Sequence, residues 1–287
     1  PSASPSEHKA MGDSIINSLQ SALSLWNEKL SELFSMLTTT PEEFRGGAIW
    51  SIILKVFDSM SAVGLALVTL CWFAGVIKTV GTFTELKRPE VAVKVIVRLI
   101  LAQYVVANAL ELIKQFISLA CGIVANIMTA SGFLVEDGLV LPEEIISAAQ
   151  NVGVISGLGA WIVALICMLV ITVLSFIILL TVYGRFFKIF IYTALAPIPL
   201  AGFAGEPTSG MGRSFVRSYL AVLMEGAVIL LACVIYSAFA ASPPVIDPDA
   251  SAQTMIFAYM GQLIFQMLIL VATIRGADRI AREVTGL

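Results

Sequence analysis

Hydrophobic positions along this chain fall into long unbroken runs. Residues 59–77, 154–183 and 254–274 contain no charged side chain, and residues 218–241 contain one, Glu225. Each run matches the ~20 apolar residues that an α-helix needs to cross a hydrocarbon core. No water there would satisfy an open backbone, so such runs must be helical. Residues 89–135 are less clear: the uncharged stretch 99–110 is too short to span, and Glu111 and Lys114 follow before residues 115–135, with no Gly or Pro near Glu111 to turn the chain. They are expected to form one long, possibly bent helix that starts near Pro89 and crosses once. The pattern predicts an all-α polytopic transmembrane bundle of five crossings, with spans near residues 55–78, 95–118, 154–183, 218–241 and 254–275.

The N-terminal pattern is different. Ile15, Leu19, Leu23, Trp26, Leu30, Leu33 and Leu37 recur every three to four residues, with Asp13, Gln20, Asn27, Glu28 and Glu32 between them. That is the period of an amphipathic helix, ended by a Thr-Thr-Thr-Pro-Glu-Glu run in which Thr39 or Thr40 is placed to cap a new start. Its polar face is acidic, the opposite of the basic faces that bind anionic lipid. Residues 11–44 are therefore expected to pack on the external face of the bundle or on a partner. Residues 1–10 are polar and aperiodic and precede Met11, a plausible initiator, so they are expected to be an appended leader. They hold His8, the only histidine.

Composition narrows the class. Apolar residues make up 58 % and charged residues 13 % of the chain, against ~25 % charged in a soluble domain. The net charge of −3 suggests neither a nucleic-acid grip nor an acidic tail. No polar stretch is long enough for a second core, so residues 45–287 read as one membrane domain. Cys71, Cys121, Cys167 and Cys233 are far apart, with no C-x-x-C pair, and are expected to be buried reduced thiols. No H-E-x-x-H, G-x-S-x-G or phosphate-binding loop is present; neither catalysis nor a cofactor is expected.

Charge then sets an expected orientation. Lys78, Lys87, Arg88, Lys94 and Arg98 follow the first span, Arg185, Lys188, Arg213 and Arg217 the third, and Arg275, Arg279 and Arg282 the last. The loops with Glu136, Asp137, Glu143 and Glu144, and with Asp247 and Asp249, have no basic residue. Basic loops stay in the cytoplasm, so the N-terminus is expected outside and the C-terminus inside. Residues 186–203 are apolar enough to span, but a crossing there would place Arg213 and Arg217 outside. Pro197, Pro199 and Pro207 also remove backbone donors. The segment is expected to be a re-entrant or interfacial element, and Pro197 and Pro199 to end a helix begun near Arg185.

Four further features are candidates for packing or function. Gly153 and Gly157 form a small-x-x-x-small face for close helix approach, within this chain or to another copy. Glu225 is a lone carboxylate in an apolar span, so it should be neutral, paired or facing a cavity. Arg98 is the expected partner, with Lys94 and Arg217 as alternatives. Glu111 with Lys114, and Lys55 with Asp58, are each three residues apart and suited to pair.

The order of these elements resembles the TrbL-type polytopic membrane subunit of conjugative type IV secretion systems, in its Gram-positive form. The resemblance spans roughly residues 45–287 and is carried by "GTFTELKRPE", "YGRFFKIFIYTALAPIPLAGFAGE", "GRSFVRSYLAVLMEGAVILLACVIY" and "RGADRIAREVTGL". It implies a channel-forming membrane component that helps pass single-stranded DNA with its relaxase, alongside other secretion subunits and separate ATPases, within a homo-oligomer in the lipid bilayer. A small-solute transporter or ion channel is the alternative. It is disfavoured because the broken helix occurs once rather than in both halves.

Overall fold

The computed structural model describes residues 5–79, 89–131, 138–152, 154–240 and 251–287, and among them every regular element is helical. In order these are α1 (Pro5–Thr38), a 3₁₀ turn (Phe44–Gly47), α2 (Ala48–Thr79), α3 (Pro89–Ala107), α4 (Ala109–Ser131) and α5 (Glu143–Gln150). There follow α6 (Val154–Leu195), α7 (Pro197–Leu200), a second 3₁₀ turn (Ala201–Ala204), α8 (Ser209–Ala240) and α9 (Ala252–Val284). Among the described residues five segments are long and apolar enough to cross a membrane: Phe44–Lys78, Ala109–Ser131, Gly157–Leu195, Ser209–Ala240 and Ala252–Val284. The protein is an all-α, multi-pass membrane protein.

Two compact units divide the chain: Pro1–Leu37 with Ile127–Val182 and Ile229–Gly276, and Thr38–Asn126 with Tyr183–Val228 and Ala277–Leu287. In the first, α1 starts at Pro5, inside the segment expected to be a leader. It buries Ile15, Leu19, Leu23, Trp26, Leu33 and Leu37, the stripe its period predicts. Trp26 meets Tyr236 edge-on at 6.4 Å. Asn27 holds the backbone of Leu139 at both ends: its Nδ2 donates to the carbonyl oxygen, and its Oδ1 accepts from the amide, each at 3.0 Å. Gly138 leaves room for this, since a Cβ there would lie 2.7 Å from Asn27 Nδ2. On the polar face, Lys29 bonds Glu28 and Glu32 at 2.8 and 3.1 Å, which raises its pKa above the usual lysine value.

In the second unit, Thr40 Oγ1 accepts from the amide of Glu43, capping the turn that leads to α2. Phe44 then stacks on Phe186 with ring centroids 4.1 Å apart. Arg45, at φ 51°, donates to Tyr183 Oη at 2.9 Å. Trp72 Nε1 donates to the carbonyl of Val95, fixing α3 on α2.

Three expectations are revised here. The stretch after Pro89 is two helices that meet at Asn108, where the i→i−4 ladder runs on from Tyr104 to Leu112. Asn108 Nδ2 also donates to the Tyr104 carbonyl, the local competition by which Asn disturbs a helix. The apolar window falls on Ala109–Ser131 alone, not residues 95–118, because Glu90, Lys94 and Arg98 belong to α3. Second, no helix begins near Arg185: α6 runs 42 residues without a break, and ends at Leu195 before Pro197. Third, Glu111 bonds Gln115 at 3.0 Å, one turn away, and neither Glu111–Lys114 nor Lys55–Asp58 forms an ion pair among the described residues.

The proline segment has a defined seat in this second unit. Pro197 and Pro199 lack amides, so the chain leaves α6 as the short α7 and a 3₁₀ turn. It then runs against a glycine face of α2. A Cβ at Gly64 would lie 2.7 Å from the carbonyl oxygen of Pro197, and one at Gly75 2.9 Å from the Cα of Gly205. Gly205 itself meets the Cys71 carbonyl, and Thr208 Oγ1 closes the turn on the carbonyls of Gly202 and Gly205.

Candidate functional site

Within the second unit, three apolar helices bring their charged residues together. Lys188 of α6 donates from Nζ to Glu225 Oε2 of α8 at 3.3 Å and to Asp278 Oδ1 of α9 at 3.1 Å. Arg282, one turn beyond Asp278, donates to its other oxygen at 3.1 Å. The row Glu225–Lys188–Asp278–Arg282 therefore alternates in sign across α8, α6 and α9. Its members differ in exposure: the Glu225 side chain is 2 % exposed, those of Lys188 and Asp278 39 % and 33 %. The cluster is buried at its α8 end and open at its α9 end.

Arg185 lies one turn before Lys188 and is buried. Its Nε and Nη2 donate to the carbonyls of Val222 and Leu223, at 3.4 and 3.3 Å. These oxygens already accept helical bonds, and a carbonyl has two lone pairs, so α8 can receive the guanidinium without breaking its ladder. The fit depends on Gly226, where a Cβ would stand 2.5 Å from Arg185 Cζ. One turn after Lys188 on the same helix, Tyr192 packs against Phe215 and Tyr219, and the Tyr219 hydroxyl bonds Thr193 Oγ1 at 3.1 Å. Arg185, Lys188 and Arg282 exceed Glu225 and Asp278 by one charge. The site is cationic.

Sequence and structure differ on pairing. Glu225 pairs with Lys188, whereas Arg98 lies 3.7 Å from Glu206 at an exposed position. The expectation of Arg98 rested on depth along two helices; α6 stays helical through its cations and brings Lys188 closer. Arg185 and Lys188 are in the cluster, and Pro197 and Pro199 are in the segment seated on α2. In the first unit Gly157 is a close-approach position, with Met11 Cγ 2.9 Å from where its Cβ would be. Gly153, Lys87, Arg88, Glu136, Asp137, Asp247 and Asp249 lie outside the described residues. Asp278, Gly226, Gly64 and Gly75 were not anticipated. The signal for Asp278 was present: it is the lone acid among Arg275, Arg279 and Arg282.

Family comparison gives one match, to the TrbL/VirB6 plasmid conjugal transfer like protein family over residues 26–197. The matched stretch is more than half of the chain. It contains Arg185, Lys188 and Pro197, and stops before Pro199, Glu225 and Asp278. No curated protein and no solved structure matches. With the helical bundle and the motifs of residues 81–90 and 183–206, the match identifies the chain as a member of the TrbL/VirB6 family, a membrane component of a conjugal transfer system.

Proposed function

We propose that this chain is a channel component of a conjugative type IV secretion system. It helps single-stranded DNA, with its attached relaxase, cross the cell membrane. It acts as a homo-oligomer beside other secretion subunits, while separate ATPases supply the energy. In this proposal the N-terminus and α1 lie outside and the C-terminus lies in the cytoplasm.

The observation that supports this best is the half-open cationic cluster. Charges within membrane-spanning helices are expensive and normally face a bundle interior or a wet cavity. Here Lys188 and Asp278 keep about a third of their side-chain surface exposed. An exposed ionic pair on apolar helices fits a watery path better than a lipid face. One net positive charge suits a path for a polyanion, because cationic residues attract phosphate and their contacts with it are strongly salt-dependent.

The test is mating from donors with a clean deletion, complemented with wild type or Lys188→Gln. Formaldehyde capture of the transferred strand on this chain is measured in parallel. The expectation is that Lys188→Gln lowers DNA capture and transfer beyond any fall in its membrane abundance, both readouts being taken per molecule of protein in the membrane. Full transfer from the deletion strain would reject a role in conjugation. Lys188→Gln with unchanged capture and transfer would reject the conduit.

A further inference from the structure

The second unit holds a recessed cavity of about 190 Å³, walled by α3, α4, the segment after Pro197, and α8. Its lining includes Ala109, Leu112, Phe116, Phe203, Val216 and Tyr219. Every lining side chain is aliphatic or aromatic. The single polar atom among them, the Tyr219 hydroxyl, is already bonded to Thr193. A water needs two to four polar partners, and an apolar cavity of this size stays dry and takes hydrocarbon. Leu112, one of its lining residues, is 38 % exposed. Two of its walls, α4 and α8, are among the segments long and apolar enough to cross a membrane, so lipid is the medium that bathes them.

Cations stand at one rim. Arg213 lies one turn before the lining residue Val216 on α8, where i and i+3 share a face. Glu206, three residues after Phe203, draws Arg98 to the same rim at 3.7 Å. That contact is long and exposed, and pairs of this kind contribute little. Arg213 is exposed and forms no ion pair among the described residues. Glu206 therefore offsets Arg98, and the exposed Arg213 adds a positive charge at this end of the cavity.

We infer that this cavity is a phospholipid site: one acyl chain fills the pocket, and an anionic headgroup lies on Arg213 and Arg98. The inference requires membrane insertion but not DNA passage. The hydrocarbon wall selects a chain; the rim selects charge, since basic pockets between spanning helices bind anionic headgroups.

The test uses the full chain in nanodiscs of phosphatidylethanolamine doped with a photoactivatable phospholipid that carries a diazirine in one acyl chain. The probe headgroup is phosphatidylglycerol in one arm and phosphatidylethanolamine in the other. With phosphatidylglycerol, labelling should concentrate on the peptides holding Phe116 and Phe203. Filling the pocket with Val216→Trp, or with Leu112→Trp if the first folds poorly, should remove that labelling. Arg98→Gln with Arg213→Gln should lower the preference for phosphatidylglycerol over phosphatidylethanolamine by about tenfold. Labelling unchanged in a filled variant with wild-type thermal unfolding overturns the chain site. Equal labelling by both headgroups in the wild type overturns the selection by charge.

Discussion

The guanidinium of Arg185 rests on the bare α-carbon of Gly226. That position is next to Glu225, yet Arg185 bonds the carbonyls of Val222 and Leu223 while Lys188 takes the carboxylate. A missing side chain on α8 thus accommodates one cation, and a carboxylate on the same turn neutralises another. The two neighbouring residues do different work, and their substitutions should be separable.

Gly226→Ala should be destabilising. Its Cβ forces the guanidinium off its carbonyls, and overpacking of this kind costs about 1–3 kcal/mol, more if the charge is left unpaired. Thermal unfolding in detergent should show a lower midpoint. Adding Arg185→Met should recover much of the loss, because an apolar side chain bends away without leaving a buried charge. A double variant as unstable as Gly226→Ala would show that the clash is not with Arg185.

Lys188 and Glu225 should couple. Lys188→Gln leaves the buried Glu225 without its partner and Glu225→Gln leaves Lys188 with Asp278 alone, while the double variant removes both charges of the pair and leaves Asp278 to Arg282. A double-mutant cycle should give an interaction energy of about 1–3 kcal/mol. The same cycle between Arg98 and Glu225 should be additive within about 0.5 kcal/mol. Coupling in the second cycle but not the first would restore Arg98 as the partner and reject the observed pair.

The seat of the proline segment should tolerate no side chain on α2. Gly64→Leu and Gly75→Leu should both reduce folded yield, since each new side chain meets backbone that cannot rotate away. Gly122 and Gly276 have nothing within 4 Å of where a Cβ would be. Alanine at either should be neutral or stabilising by up to about 1 kcal/mol, from helix propensity. Yields that failed to separate these two pairs would mean that the segment is not held on α2.

Orientation is open to labelling. In a chain lacking Cys71, Cys121, Cys167 and Cys233, Asp137→Cys and Asp249→Cys should react with an impermeant maleimide on intact cells. Arg213→Cys should react only after permeabilisation. The reverse pattern would place the C-terminus outside and reject the orientation proposed from the basic clusters.

What the sequence revealed and concealed follows from the range of each interaction. The α1 stripe, the capping Thr40, the apolar spans and the end of α6 before Pro197 rest on residues a few positions apart. They were legible from period and composition. The partners of Lys188 lie 37 and 90 residues away, and no local pattern encodes such a distance. The unbroken run of α6 through Arg185 and Lys188 was missed for a related reason. Arg185 and Lys188 look like the end of a span only until the carbonyls and carboxylates of neighbouring helices are in place to receive them. The glycine face of α2 was hidden because a glycine in a spanning helix gives no sign of what approaches it.

The grip of Asn27 on Leu139 constrains its two residues unequally. An amide that holds both the N–H and the carbonyl of one residue imitates a neighbouring β-strand and makes its bonds to the backbone alone. Position 139 is therefore free to drift to any residue that keeps its N–H, with proline alone forbidden. The amide at position 27 and the bare carbon at 138 bear the whole constraint. A loop held in this way can change its outward chemistry, and so the partners it meets, without losing its attachment to α1.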